Sequence, residues 1–330
     1  MMDVVALGEL LIDFTENGLS EQDNPLLEAN PGGAPCNVLA MLKKYGHDVG
    51  FIGKVGRDMF GDQLERAIRS VGIETEGLLR DETVNTTLAF VKTLEGGDRE
   101  FSFYRNPGAD MMLSENDVEN CRDLIESCRI FHIGSLSMTD EVCERATKRA
   151  LAIAKEAGAL VSFDPNLREP LWDTLEHAHE MIDYGLSQCD ILKISDNEIT
   201  WFTGEEDYDA GVKMLRERYN ISLILVSMGP EGSLAFSGNT RVCVKPFIQK
   251  NTIETTGAGD TFCAGVLHYV LEHGLRTYNE AELKNMLTTA NAGASIITTR
   301  RGALSVMPDV EEIRELIRER SDENSKREFY

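Results

Sequence analysis

Among seven cysteines (Cys36, Cys121, Cys128, Cys143, Cys189, Cys243 and Cys263) the sequence has no C-x-x-C pair and no His/Cys zinc spacing. That sets aside zinc ribbons, thioredoxin-type redox motifs and disulfide scaffolds. An odd, scattered set of thiols fits a reduced, cytoplasmic chain. No apolar run reaches the roughly 20 residues of a membrane-spanning helix. The opening stretch carries acids at Asp3 and Glu9 and no basic segment, so no signal peptide is expected. Basic residues are scarce, 33 Lys and Arg against 56 Asp and Glu, for a formal net charge of −23. A surface that acidic repels phosphate backbones and anionic lipid, so neither a nucleic-acid nor a membrane partner is expected. The Gly53-Lys54 pair is followed by Val55, so no P-loop is present, and HRD, DFG and H-E-x-x-H are also missing. His177 and His179 stand two apart, the wrong spacing for ligands on one helix face.

What is present is an alternation of strand and helix patterns. Val4–Leu7 and Val49–Val55 read as buried strands, Ala34–Tyr45 and Asp58–Val71 as helices ended by Gly46 and Gly72. The pattern then changes. Thr86–Leu94 and Arg99–Arg105 flank Glu95-Gly96-Gly97-Asp98 and predict a hairpin. Beyond Cys128 the alternation resumes, with strands at Arg129–Gly134, Ala159–Phe163, Ile191–Ile194 and Leu223–Val226. Helices are expected at Asp140–Ala157, Ala258–His273, Glu280–Thr298 and from Asp309 to about Arg320, with Ser321–Tyr330 a frayed tail. No Pro- or Ser-rich linker and no repeat divides the 330 residues. The reading is one α/β domain around a mainly parallel sheet, with a small β excursion formed by about 14–30 and 74–105 acting as a lid.

The strongest local signal is Glu254-Thr-Thr-Gly-Ala-Gly-Asp-Thr-Phe-Cys-Ala-Gly265. Glycines opening a helix leave backbone N–H groups bare at a positive dipole end, an anion cradle. Asp260, inside the first turn, could take a proton from an attacking hydroxyl. Read alone, it serves equally well as an ordinary N-terminal helix residue. A dinucleotide fingerprint is disfavoured because Phe262 occupies the third glycine position. In Asn30-Pro-Gly-Gly-Ala-Pro-Cys-Asn37, Gly32 and Gly33 permit close approach of a ligand and Asn37 supplies donor and acceptor. In isolation a Gly-Pro turn explains that segment better. Asp13 follows the first strand, where open α/β sheets present ligand groups.

Together these segments resemble the ribokinase-like (PfkB) carbohydrate kinases, and among them the fructokinases. Gly32–Asn37 with Phe51–Gly61 resembles the family's N-terminal signature, and Glu254–Gly265 its C-terminal one. Phe163–Trp172 and Phe103–Asp110 are similar to fructokinase sequence in particular. The resemblance implies a three-layer α/β/α ribokinase-like fold and transfer of the γ-phosphoryl of ATP to the 6-hydroxyl of D-fructose, with magnesium accompanying the nucleotide. It implies Asp260 as catalytic base and Gly257, Ala258 and Gly259 as anion hole. Asp13, Gly32, Gly33 and Asn37 match sugar-binding positions, and Arg105 and Arg168 positions facing the sugar and transferred phosphoryl. Glu198 matches a residue that positions magnesium and phosphate, with Ser195 where the family commonly has Asn. Lys193, Ser227, Gly229, Gly232 and Asn291 fall where the nucleotide lies, although a surface lysine, an ordinary turn and a helix polar contact explain them as well. Glu254 replaces the family's usual Asp at a monovalent-cation site, and its longer side chain argues against full potassium activation. Relatives also imply a homodimer through the lid. Arg105 and Arg168 leave a 2-keto-3-deoxygluconate or riboside kinase as the alternative, and a non-catalytic sugar-binding regulator as a remote one.

Overall fold

The computed structural model describes residues 1–93 and 99–327, with side chains omitted at 92, 93, 99–101 and 322–327. The expected hairpin turn Glu95–Asp98 lies outside the described residues.

The chain begins with β1 (Met2–Leu7), whose last four residues are buried, as a strand covered on both faces requires. Alternation sorts them: Val4 and Ala6 join one apolar core, Val5 and Leu7 the other. Next come β2 (Leu11–Leu19), β3 (Pro25–Gly32), α1 (Ala34–Lys44), β4 (Val49–Gly56), α2 (Met59–Ser70), β5 (Leu78–Asp81), β6 (Leu88–Thr93) and β7 (Arg99–Tyr104). The middle of the chain holds α3 (Glu115–Asn120), α4 (Arg122–Glu126), β8 (Cys128–Gly134), α5 (Glu141–Glu156), β9 (Leu160–Asp164) and α6 (Leu175–Gln188). Then follow β10 (Ile191–Ser195), α7 (Asp196–Thr203), α8 (Tyr208–Arg218), β11 (Leu223–Ser227), β12 (Ser233–Ser237) and β13 (Thr240–Val244). Three helices close the chain: α9 (Ala258–His273), α10 (Glu280–Ile297) and α11 (Val310–Arg327). The last one continues past the expected stop near Arg320 and through most of the segment expected to fray; residues 328–330 lie outside the described set.

Nine strands form the main sheet in the order β13-β12-β11-β10-β9-β8-β1-β4-β5. It is parallel from β5 to β11 and antiparallel only at β11–β12–β13. One core, with α1, α9 and α10, covers one face; the other, with α5, α6 and α7, covers the opposite face. This is the three-layer α/β/α fold. Helix α9 is buried nearly all round because it is sandwiched between α1, α10 and the sheet.

A second, four-stranded sheet has the order β3-β2-β6-β7. Two of its strands, β2 and β3, occupy the stretch at about 14–30 expected to belong to the β lid, for which the sequence offered no strand bounds. Within it Phe14 stacks on Phe90 at 4.9 Å, and Tyr104 meets Phe90 edge-on at 5.1 Å. The Phe90 ring is therefore half-buried among aromatic neighbours on this sheet.

Candidate active site

The C-terminal ends of the parallel strands and the concave side of the small sheet enclose a cleft of about 440 Å³. At its floor lies the start of α9. Gly257 caps that helix with φ 76°, in the left-handed region, and a Cβ there would sit 2.8 Å from the Ala303 Cβ. No side chain caps the turn, so its amides and the helix dipole face the cleft. Of the three amides expected to hold an anion, that of Ala258 already donates to the Thr255 carbonyl at 3.2 Å, which makes it the weakest donor.

Asp260 occupies the first turn and is buried, and its Oδ2 accepts from Asn37 Nδ2 at 2.8 Å. Burial pushes its carboxyl above the ordinary range, while Asn37, Lys193 and Arg168 hold it down in that order. Its raised basicity suits this carboxyl to accept a proton. The other amide atom of Asn37, Oδ1, is buried without a protein partner, so it is available to a ligand hydroxyl. Asn37 sits at the start of α1, where Gly33 makes the entry turn at φ 129° and a Cβ would lie 2.4 Å from the Glu9 carbonyl oxygen. Only glycine fits there.

Asp13 and Asn30, opposite each other on β2 and β3, line the same cleft, as do Arg168, Ser195, Ser227 and Glu254. Gly32 is not among the lining residues; a Cβ on it would meet Asp13 Oδ2 at 2.2 Å, so its bareness makes room for that carboxylate. Lys193, at the end of β10, is buried and pairs with Asp164 Oδ2 at 2.9 Å, and a Cβ on Gly259 would lie 3.2 Å from its Nζ. Asp164 and Glu198 hold that ammonium charged despite burial. Glu198 lines the cleft but forms a capping box with Ser195, its Oε2 accepting from Ser195 N and its Oε1 from Leu167 N, both at 2.8 Å. The motif that reads as a metal-positioning pair is thus first a helix cap. Glu254 Oε1 accepts from Gly302 N at 2.9 Å.

A second cavity of about 460 Å³ adjoins the first, sharing Ser227, Thr255 and Gly259. It contains Gly229, Gly232, Ala258 and Asn291, walled by Phe247, Ile248 and Phe262. Asn291 reaches the Val244 carbonyl at 3.4 Å. A flat apolar ligand part would suit this cavity and an anionic part the amide turn between the two.

Besides Gly32, a second expected residue does not line the site. Arg105 is 4% exposed and absent from the cleft wall. Its guanidinium is engaged by Asp110 at 2.7 Å, Thr139 Oγ1 at 2.8 Å and the Leu136 carbonyl at 2.8 Å. These contacts take four of its five N–H donors, and burial keeps the guanidinium away from a sugar or phosphoryl group in the cleft. Sequence reasoning missed Glu9, which lines the cleft, accepts from Ala34 N at 3.0 Å and is pushed by burial up to about 7. Its signal was a single carboxylate inside an apolar run. Asn166 was also missed as a site residue; its φ of 48° follows the Asp164-Pro165 turn and turns its side chain to the cleft.

A family model described as pfkB family carbohydrate kinase matches residues 1–310. The chain belongs to this family. It is therefore a carbohydrate kinase, a phosphotransferase with an alcohol group as acceptor. Probable fructokinase-3 of Arabidopsis thaliana is 40% identical over 311 residues, covering 93% of this chain and 89% of the relative. The crystal structure of a fructokinase from Xylella fastidiosa with bound ATP superposes with a TM-score of 0.87 at 31% identity, over 97% of this chain and all of that one. A double-mutant fructokinase of Vibrio cholerae O395, in a fructose-, ADP- and potassium-bound form, gives 0.84 at 27% identity over 96% of this chain and 98% of its own.

Proposed function

We propose that this pfkB-family kinase is a fructokinase, transferring the γ-phosphoryl of ATP to the 6-hydroxyl of D-fructose. The observation that carries the reading is the buried Asp260 carboxylate, bonded to Asn37, beside the uncapped Gly257–Gly259 turn. The relatives of known name point to fructose, and the cleft supports a polyhydroxylated ligand: Asp13, Asn30 and Asn37 offer acceptors and donors around one space. Asp260 takes the proton of the sugar hydroxyl as that oxygen attacks the γ-phosphorus. The amides of Gly257 and Gly259 hold the charge that grows on the transferred phosphoryl. Arg168 and Lys193 add fixed positive charge in a chain of net charge −23. The adjoining cavity with Gly229, Gly232 and Asn291 takes the nucleoside end.

Magnesium, arriving with the nucleotide, would neutralise the β- and γ-phosphates. Glu198 fits that role through water, since both its oxygens keep free lone pairs beside the amides they already accept from. Potassium at Glu254 is the weaker part of the proposal, because its side chain is one methylene longer than the Asp usual at that position and is held by Gly302 N through Oε1. The small sheet serves as a lid that excludes water from the transfer. Its exposed Leu19, Leu26, Leu27 and Tyr104 suit contact with a second copy, and a monomer in sedimentation at assay concentration would remove the dimer. Seven unpaired thiols support a reducing compartment such as the cytoplasm. Among the described residues no helix is long and apolar enough to cross a membrane.

The 2-keto-3-deoxygluconate reading loses one of its two cations with Arg105 outside the cleft and keeps only Arg168 for that sugar's carboxylate. A non-catalytic sugar-binding regulator would need neither a buried base nor a bare-amide turn. A coupled ADP-release assay across fructose, ribose, glucose, ketodeoxygluconate and nucleosides tests the assignment. Fructose should give the highest kcat/KM; a higher value for any other acceptor would replace it.

A further inference from the structure

Away from the cleft, the loop after α1 meets the middle of α9, and two imidazoles face each other there. His47 Nε2 and His268 Nδ1 lie 2.9 Å apart. Glu272, one turn further along α9, completes a set whose three ligand atoms all lie within 4.8 Å of one another. None of the three lines either cavity. Along the helix, eight residues at about 1.5 Å each put His268 about 12 Å from Asp260.

We propose that His47, His268 and Glu272 form a binding site for one borderline-soft divalent cation of the zinc type, with a fourth position left to water. Two imidazole nitrogens and a carboxylate are a donor set such ions prefer over magnesium or calcium. His268 and Glu272 are four apart on one helix, so both project from the same face. In a tetrahedral site with bonds of about 2.0–2.2 Å, donor atoms stand about 3.3 Å apart. The two nitrogens need only separate by a few tenths of an ångström, and Glu272, exposed and flexible, can close the remaining gap.

The surroundings orient the donors. Asp3 Oδ2 lies 3.4 Å from His47 Nδ1, so that nitrogen carries the proton and Nε2 turns its lone pair toward His268. A carboxylate behind a ligating histidine is the usual arrangement at such sites. Tyr45 stacks on the His268 ring at 4.1 Å and 3°, fixing its plane. In the metal-free chain His268 Nδ1–H donates to His47; on binding, that proton moves to Nε2 and both facing nitrogens ligate. Burial, helped first by His47 beside it, lowers the His268 pKa to about 4. The nearby Arg314 also opposes a dication, and Glu272 is the group that offsets it. Occupancy would tie the end of α1 to α9, the two helices that carry Asn37 and Asp260.

The test titrates zinc chloride into the full chain, stripped by chelator and free of nucleotide and magnesium, by calorimetry and thermal melting. Cobalt(II) serves as a colour probe for tetrahedral geometry. The parent chain should bind a single equivalent in the micromolar range and melt at higher temperature. His268→Gln should abolish that uptake and Glu272→Gln should weaken it. Asp3→Asn, which leaves all three ligands in place, should weaken it about 10–100-fold. Glu272→Gln, far from the cleft, should leave sugar kinase activity unchanged and confirm an intact fold. Exposed Cys243 is the competing ligand, so Cys243→Ser should bind like the parent. The proposal is overturned if zinc is not taken up, if uptake is the same in His268→Gln and Glu272→Gln, or if it disappears only with Cys243.

Discussion

Gly257→Ala tests the anion turn at the point where the structure leaves least room. The residue sits at φ 76°, where an L side chain costs roughly 1–2 kcal/mol. Its new Cβ would also begin 2.8 Å from the Ala303 Cβ, against an ordinary carbon–carbon contact of about 3.5–4.0 Å. Relief requires the turn and the Gly302–Ala303 segment to part by about 1 Å. Strain and overpacking together should lower stability by about 1–3 kcal/mol, a loss that urea melting can read. The larger effect is on catalysis. A displacement of about 1 Å in a positioning group can cost about 10²-fold in rate, and loss of one donor to a developing anion about 10²–10³-fold. The expected outcome in an ADP-release assay at saturating ATP is a kcat reduced about 10²-fold with a fructose KM nearly unchanged. A folded variant with kcat within threefold of the parent would refute the anion-hole reasoning.

Burial raises the Glu9 carboxyl from 4.5 to about 7, so between those values the folded chain holds a proton that the unfolded chain releases. Stability therefore falls as pH rises across that window, by about 3 kcal/mol at 1.36 kcal/mol per unit, and stays lost above it. Glu9→Gln, which keeps an oxygen for Ala34 N, should match the parent near pH 4.5 and exceed it in urea melts above pH 7; a difference that does not change with pH would contradict this. Arg105→Met leaves Asp110 buried without its partner and should cost about 3–5 kcal/mol of stability, with fructose KM little changed in the folded fraction. Unchanged stability with a raised KM would return Arg105 to the sugar site.

The strands at the centre of the main sheet were legible where burial on both faces demands unbroken apolar runs, as at Val4–Leu7 in β1 and Leu223–Val226 in β11. Strands β2 and β3 were legible only as part of a β excursion at about 14–30, without bounds, since their outer halves face solvent and carry polar residues. The antiparallel pair β12–β13 was hidden behind the turn at Gly229–Gly232. In the site, glycines carried most of the information: Gly33 and Gly257 occupy conformations and spaces closed to other residues. The identity of a charged residue says less about where it points. Arg105 reads the same whether it faces a sugar or an aspartate five residues on, and only the packing of Asp110, Leu136 and Thr139 decides between them. The Ser195–Glu198 pair likewise serves as a cap and a cleft wall at once, which spacing alone does not separate.

The most direct test of the proposed chemistry is Asp260→Asn, measured for fructose binding by calorimetry and for phosphoryl transfer by single-turnover kinetics. The variant keeps an oxygen for the Asn37 amide but lacks a basic one. Fructose affinity should stay within a few-fold of the parent while the transfer rate falls about 10²–10⁴-fold. Transfer at near-parental rate would show that Asp260 is not the base.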